Sequence, residues 1–135
     1  MVLGTKNANH LAIRTNNNNR IFIESGGNVG VNTATPKSGI EMNTSVAYAV
    51  NSISANYSLT TTDKVVIATS AITASLPSAV GIKGRVYTIK NASSGSVTVN
   101  SSGGNIDGSA SVSIAASKYI EVISDGTNWY IIGSN

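Results

Sequence analysis

Hydrophobic residues fall in short clusters along this chain, and within the clusters they alternate with polar or small residues. Between Leu3 and Ile23 they are Leu3, Ala8, Leu11, Ala12, Ile13, Ile21, Phe22 and Ile23, separated by linkers such as Thr15-Asn16-Asn17-Asn18-Asn19-Arg20. Asn and Thr are poor helix formers, and β-branched residues favour strands. Short strands are therefore predicted over Leu11–Arg14 and Arg20–Glu24, joined by a turn at Asn16–Asn19, where asparagine tolerates left-handed backbone angles. An Asn-rich segment can also be simply disordered, but Ile21-Phe22-Ile23 is too apolar for a solvated tail.

Next comes Gly26-Gly27-Asn28-Val29-Gly30-Val31-Asn32-Thr33-Ala34-Thr35-Pro36. Asn28–Val31 reads as a third short strand, with Gly30 marking a bulge or a close backbone approach. Pro36 cannot donate to a ladder and is expected to end the pairing. Residues 1–36 hold too few apolar side chains to offset a chain-entropy cost of about 1–2 kcal/mol per residue. Identical copies wound round a shared axis would supply the missing contacts, with Ile21, Ile23, Val29 and Val31 packed inward.

Ser38–Asn51 reads as a connector. Ile40 and Met42 flank Glu41, and Val46, Tyr48 and Val50 alternate with alanines, a period of two that signals strand. A helix over Val46–Ile53 is the alternative suggested by those alanines. Beyond Ile53 the predicted strands are denser: Ser54–Leu59, Lys64–Ala68, Ala71–Ser75, Arg85–Ala92, Ser96–Asn100, Ser111–Ala115, Lys118–Ser124 and Thr127–Gly133. Ala79–Gly84 reads as a loop. Asp125-Gly126 between two alternating runs is a strong hairpin signal, so the last two strands should pair antiparallel. Several short strands at near-regular spacing argue for a sandwich or jelly roll.

Composition narrows the class. Only 11% of the 135 residues are charged, against roughly 25% in ordinary globular proteins, so solubility rests on Ser, Thr, Asn and Gly. The nine basic residues give a net charge of +3 but are scattered along the sequence, with no run that resembles a nucleic-acid arm. The chain has no cysteine, which excludes disulfides, thiolate metal sites and cysteine nucleophiles. No apolar run approaches the ~18 residues of a membrane span, and no signal peptide or membrane insertion is expected. The strand pattern is already running at Val2-Leu3, which suits a segment excised from a longer chain.

Two stretches resemble a known family. Leu3-Gly4-Thr5, Leu11–Asn16, Arg20–Ile23 and Gly27–Pro36 together resemble the shaft signature of bacteriophage tail fibres, with Val31 and Asn32 standing where that signature has isoleucine and glycine. Leu76–Ala79, Gly84–Asn91, Gly104–Gly108 and Ser124–Ile132 resemble the C-terminal head domains of such fibres. The resemblance implies an all-β, homotrimeric protein: a short intertwined β-shaft (1–36), a connector (37–52) and an antiparallel, jelly-roll-like β-sandwich head (53–135). It implies a location on the virion, with partners in other fibre or baseplate proteins. It also implies a role in attachment to a bacterial surface glycan or outer-surface protein.

Little in the sequence suggests catalysis, and no enzymatic activity, cofactor or metal is expected. The one histidine, His10, lies in the shaft-like part, which rules out a Ser–His–Asp triad within one head. Glu121 and Asp125, the closest head carboxylates in sequence, stand about 13 Å apart along an extended strand. That exceeds the roughly 5–9.5 Å of glycosidase pairs. Gly81-Ile82-Lys83-Gly84 lacks the glycine spacing and Lys-Ser/Thr pair of a nucleotide loop. An ion held on a threefold axis, by His10 for instance, is a minor alternative. The Asn-x-Ser sequons at Asn43, Asn56, Asn91 and Asn100 follow from a chain rich in these residues. Aromatic residues are the best binding candidates, because they offer rigid contact area with a polar handle. Tyr119, with Lys118, Asn128 and Trp129, forms the candidate receptor-binding set, although for Trp129 a core or interface role is favoured over receptor contact. Two alternatives remain: a glycan-depolymerising tailspike tip with an inter-subunit site, and a purely structural head or decoration fibre.

Overall fold

The computed structural model describes residues 4–135; Leu3, which opens the shaft-like pattern, lies outside them. The regular structure of the described residues is strand throughout, thirteen strands in three sheets. The chain divides into two compact units, the first ending at Ala47 and the second running from Tyr48 to Asn135.

The first unit is one sheet of four strands in the order β1 (Leu11–Thr15), β2 (Asn18–Ile23), β3 (Val29–Val31) and β4 (Ile40–Met42). Asn16 and Asn17, at φ 49° and 57°, close the first hairpin. Two left-handed residues in succession give a turn whose twist matches the strands it joins. The turn is thus tighter than the four asparagines suggested, and Asn18 and Asn19 enter β2. Asn32, at φ 58°, takes the left-handed backbone that glycine would also allow. Gly30 is a site of close approach: a Cβ there would collide with the Thr33 carbonyl. Pro36 does not end the sheet. The chain passes through it, with Pro36 buried, and returns as β4 to pair parallel with β3, Val29 opposite Ile40 and Val31 opposite Met42. Proline removes one donor; it does not prevent a later segment from joining the same edge.

The second unit is built from two facing sheets. One has the order β13 (Trp129–Ser134), β12 (Tyr119–Ser124), β9 (Val86–Asn91), β7 (Val65–Ala68), β5 (Val50–Ile53). The other is β11 (Ser111–Ile114), β10 (Val97–Ser101), β8 (Thr73–Leu76), β6 (Tyr57–Ser58). From β5 to β10 the chain changes sheet at every connection and returns to pair parallel with the strand two elements earlier. Only the last strands are antiparallel: β11 on β10, β12 on β9 and β13 on β12. The predicted antiparallel jelly roll is therefore corrected to a two-layer winding of mixed sheets with an antiparallel end. Alternation of side chains is the same in both pairings, so a period of two does not tell them apart. The Val46–Ile53 helix is absent; Val50–Ile53 is the edge strand β5, in the second unit, whereas Ile40–Met42 belongs to the first.

Both sheets contribute to one core, in which Trp129, Tyr87, Leu76, Ile89, Ile106, Val97, Val99 and Val122 are fully buried. Each such side chain contributes about 1.5–3 kcal/mol relative to exposure. Asn91, also fully buried, is satisfied on both ends. Its amide donates to the carbonyls of Gly95 (2.8 Å) and Ile114 (2.8 Å), and its carbonyl accepts from the Ser93 N–H and hydroxyl. It ties the β9–β10 turn to β11.

Candidate functional site

Cross-strand partners in a sheet share a face, so register shows what the first unit presents. Ile13, Ile21 and Val31 form one row across β1–β3, continued by Met42 on β4. Leu11, Ile23, Val29 and Ile40 form the next row. The opposite face carries Ala12, Phe22, Gly30 and Glu41. That second face is covered: Phe22 and Gly30 are buried, and the His10 ring lies against Phe22 with centroids 4.9 Å apart. The eight-residue apolar face is open, with Ile13, Ile21, Ile40 and Met42 exposed and the other four half-buried. The four shaft-packing residues expected from sequence, Ile21, Ile23, Val29 and Val31, thus lie together on one face. Leu11, Ile13, Ile40 and Met42 complete it, which single-strand patterns did not reveal because the register between strands is a tertiary fact.

The second unit repeats this asymmetry between its two sheets. The outer face of the β11-β10-β8-β6 sheet carries Ser58, Thr73, Ser75, Thr98, Asn100, Ser111 and Ser113. The outer face of the five-stranded sheet is mixed: Val50, Val65, Ile67, Val86, Ile123 and Tyr130 share it with Ser52, Thr88, Lys90, Tyr119 and the Lys64–Glu121 ion pair (3.2 Å). One face is polar throughout, and the other sets apolar and charged side chains next to one another.

The receptor-binding set is divided by the fold. Lys118 and Tyr119 lie at the start of β12 and line a cavity of about 300 Å³ with Ser113, Ile114, Ile120 and Asn135. Asn128 and Trp129 lie at the far end of the β12–β13 hairpin, about 17 Å along a six-residue strand. Trp129 belongs to the core, the role favoured for it over contact. It is fully buried, its indole N–H donates to the Pro77 carbonyl (3.1 Å), and its ring tilts against Tyr87. Asn128 braces loops, its side-chain oxygen accepting from the Asn105 N–H (2.9 Å).

Carboxylates are likewise used structurally. Asp125 accepts from the N–H groups of Thr127 (2.8 Å) and Asn128 (2.7 Å), and these bonds hold its carboxyl below the usual range. Glu121 points to the outer face and pairs with Lys64, so the two carboxylates have separate partners. Asp63 is buried. Burial raises its pKa, but donors from the Thr60 N–H (2.7 Å), the Thr60 hydroxyl (3.0 Å), Tyr57 and Asn51 outweigh that and leave it lowered overall. His10 Nδ1 accepts from the Ser25 N–H (3.0 Å), which occupies that nitrogen's lone pair. Among the described residues no three His, Cys, Asp or Glu side chains gather in a metal-like group.

The basic residues, scattered in sequence, are partly gathered in space. Lys64, Lys83 and Arg85 line one cleft of about 470 Å³ with Ile82, Gly84 and Val86. In the first unit, Arg14 and Arg20 border a polar cleft with Asn17, Asn18, Asn19 and Asn32, but each guanidinium is engaged locally, by Asn19 and Thr15 respectively. No family model, curated protein or solved structure matches the chain.

Proposed function

We propose that this chain is the distal part of a homotrimeric bacteriophage fibre, carried on the virion surface, that attaches to a bacterial surface glycan or protein without catalysing a reaction. The observation that carries the reading is the eight-residue apolar face of the first sheet, open in a single chain. Monomeric soluble proteins rarely expose so continuous an apolar surface, and a rim of polar residues around one marks a contact site. Symmetric self-association is the usual way for such a face to be covered in a homo-oligomer.

The number three, the virion and the host surface come from the resemblance of residues 3–36 and 76–132 to phage fibres. Low charge and a Ser/Thr/Asn surface accord with it. Weak single-site contacts would be strengthened by presentation in several copies. The test is adsorption of the purified, fluorescently labelled chain to a panel of bacterial strains. Saturable binding to some strains, lost when surface polysaccharide is stripped or surface protein is digested, supports attachment. Release of shortened glycans into the medium would point to the depolymerising tip. Absence of binding to every strain would leave a purely structural fibre.

A further inference from the structure

The cleft between Lys64 and Arg85 has the make-up of a binding site. Three cations line it, and none of the chain's six carboxylates does. Lys64 is already paired with Glu121 (3.2 Å), so Lys83 and Arg85 carry the charge that the cleft offers a ligand. The cleft, of about 470 Å³, is broadly open to solvent.

Its cations are held rather than loose. Arg85 donates one guanidinium N–H to the Thr61 carbonyl (3.1 Å) and lies 5.9 Å from the Tyr87 ring centre, which leaves further N–H donors of its fork free. The stem of Lys83 lies against Gly126, where even a Cβ would come to 3.3 Å of it, so the glycine of the β12–β13 turn seats this lysine. Lys64 is fixed between Glu121 (3.2 Å) and the exposed ring of Tyr48, 5.6 Å from its ammonium.

The backbone here is not a phosphate cradle. The Gly84 N–H donates to the Ser124 carbonyl (2.8 Å) and the Arg85 N–H to the Ile82 carbonyl (3.0 Å). Recognition must come from side chains, and the walls between the cations are the apolar Ile82 and Val86. Cations beside apolar surface suit a small ring that carries an anionic group. A bare anion would leave the apolar walls unused, and an extended polyanion would need a cationic track beyond one cleft.

We propose that the Lys64–Lys83–Arg85 cleft binds an anionic saccharide, a sugar carrying a carboxylate or a phosphate, with its charge on Lys83 and Arg85 and its ring against Ile82 and Val86. Val86 belongs both to the cleft and to the outer face of the five-stranded sheet, so the cleft opens at the rim of that face. The inference deepens the attachment reading by naming the chemistry of the surface glycan, but it is tested on soluble sugars, so it can fail while adsorption to cells stands, and the reverse.

The experiment is a calorimetric titration of the purified full chain at low salt with digalacturonate, glucose 6-phosphate, maltose and inorganic phosphate. Binding of digalacturonate or glucose 6-phosphate is expected, and either alone upholds the site and identifies the anionic group. Lys83→Ala, an exposed change outside the core, should weaken binding about tenfold, as expected for loss of one charge-assisted hydrogen bond. Lys37→Ala, which removes the same charge at an exposed position of the first unit, should leave it unchanged. The proposal is overturned if neither anionic sugar binds, if maltose binds equally well, or if inorganic phosphate matches the sugar phosphate. Equal weakening by Lys83→Ala and Lys37→Ala overturns it too, because the effect is then one of net charge.

Discussion

Ile21 on β2 lies directly opposite Val31 on β3, and both side chains project from the face of the first sheet that the unit leaves open. Each residue is ordinary by itself. Paired, and extended by Ile13 and Met42, they make a row of apolar side chains that needs a cover. Placing a charge in this row should be tolerated by the isolated sheet and rejected by an interface. Ile21→Asp is expected to shift the chain from oligomer to monomer while the near-ultraviolet signal of Trp129 is retained. An unchanged oligomer would show that this face is not the contact.

Gly30 tests the other side of the same sheet. A methyl group there would strike the Thr33 carbonyl, which is backbone and has no flexible end to move aside. Gly30→Ala should destabilise the first unit by about 2 kcal/mol or more, in the range of overpacked positions. Hydrogen exchange is the suitable measurement: protection should fall across residues 11–42 and persist across 65–133. Uniform loss over both units would mean that the two do not unfold separately.

Trp129 separates core from contact. Trp129→Phe removes the hydrogen bond to Pro77 and part of the ring against Tyr87, and it should cost about 1–3 kcal/mol in denaturant unfolding. Ligand or cell binding by the folded variant should not change. Blue-shifted tryptophan emission in the native protein is the accompanying check on burial, and emission characteristic of exposed indole would contradict it.

Asp63 gives a dependence on pH with a defined sign. Its carboxyl is lowered in the folded protein, so its contribution is complete above the unfolded-state value of about 3.9 and is lost as pH falls through the lower folded value. Thermal stability of the native chain should therefore drop more steeply below about pH 4 than that of Asp63→Asn. At neutral pH the variant should be less stable by about 1–3 kcal/mol, since it turns an acceptor of four donor groups into a partial donor. Parallel curves for the two proteins would remove Asp63 from the account of acid sensitivity.

How much of this was legible in the sequence follows from which interactions are local. Alternation placed the strands from Val65 onward within a residue or two, because each lies between a solvated and a buried face. Asn16, Asn17, Asn32 and the Asp125-Gly126 turn were readable because left-handed backbone and side-chain turn bonding are properties of single residues. Parallel winding was not readable, since the coils from β5 to β7 and from β7 to β9 differ in length and leave no repeat. The open face was half visible: Ile21, Ile23, Val29 and Val31 were singled out, but Ile40 and Met42 join them only through pairing across Pro36. The Lys64–Lys83–Arg85 cleft was invisible, because strand register, not sequence proximity, brings Lys64 to the loop before β9. Trp129 was ambiguous for the opposite reason: a large aromatic in a strand serves core and contact equally well until its neighbours are known.

The central claim is that the open apolar face of the first sheet is covered by identical chains. The direct measurement is the mass of the purified chain in solution by sedimentation equilibrium over a wide concentration range. The expected result is three times the chain mass of 13.8 kDa, independent of concentration above the micromolar range. A stable species of 13.8 kDa, folded and non-aggregating with that face exposed, would contradict it.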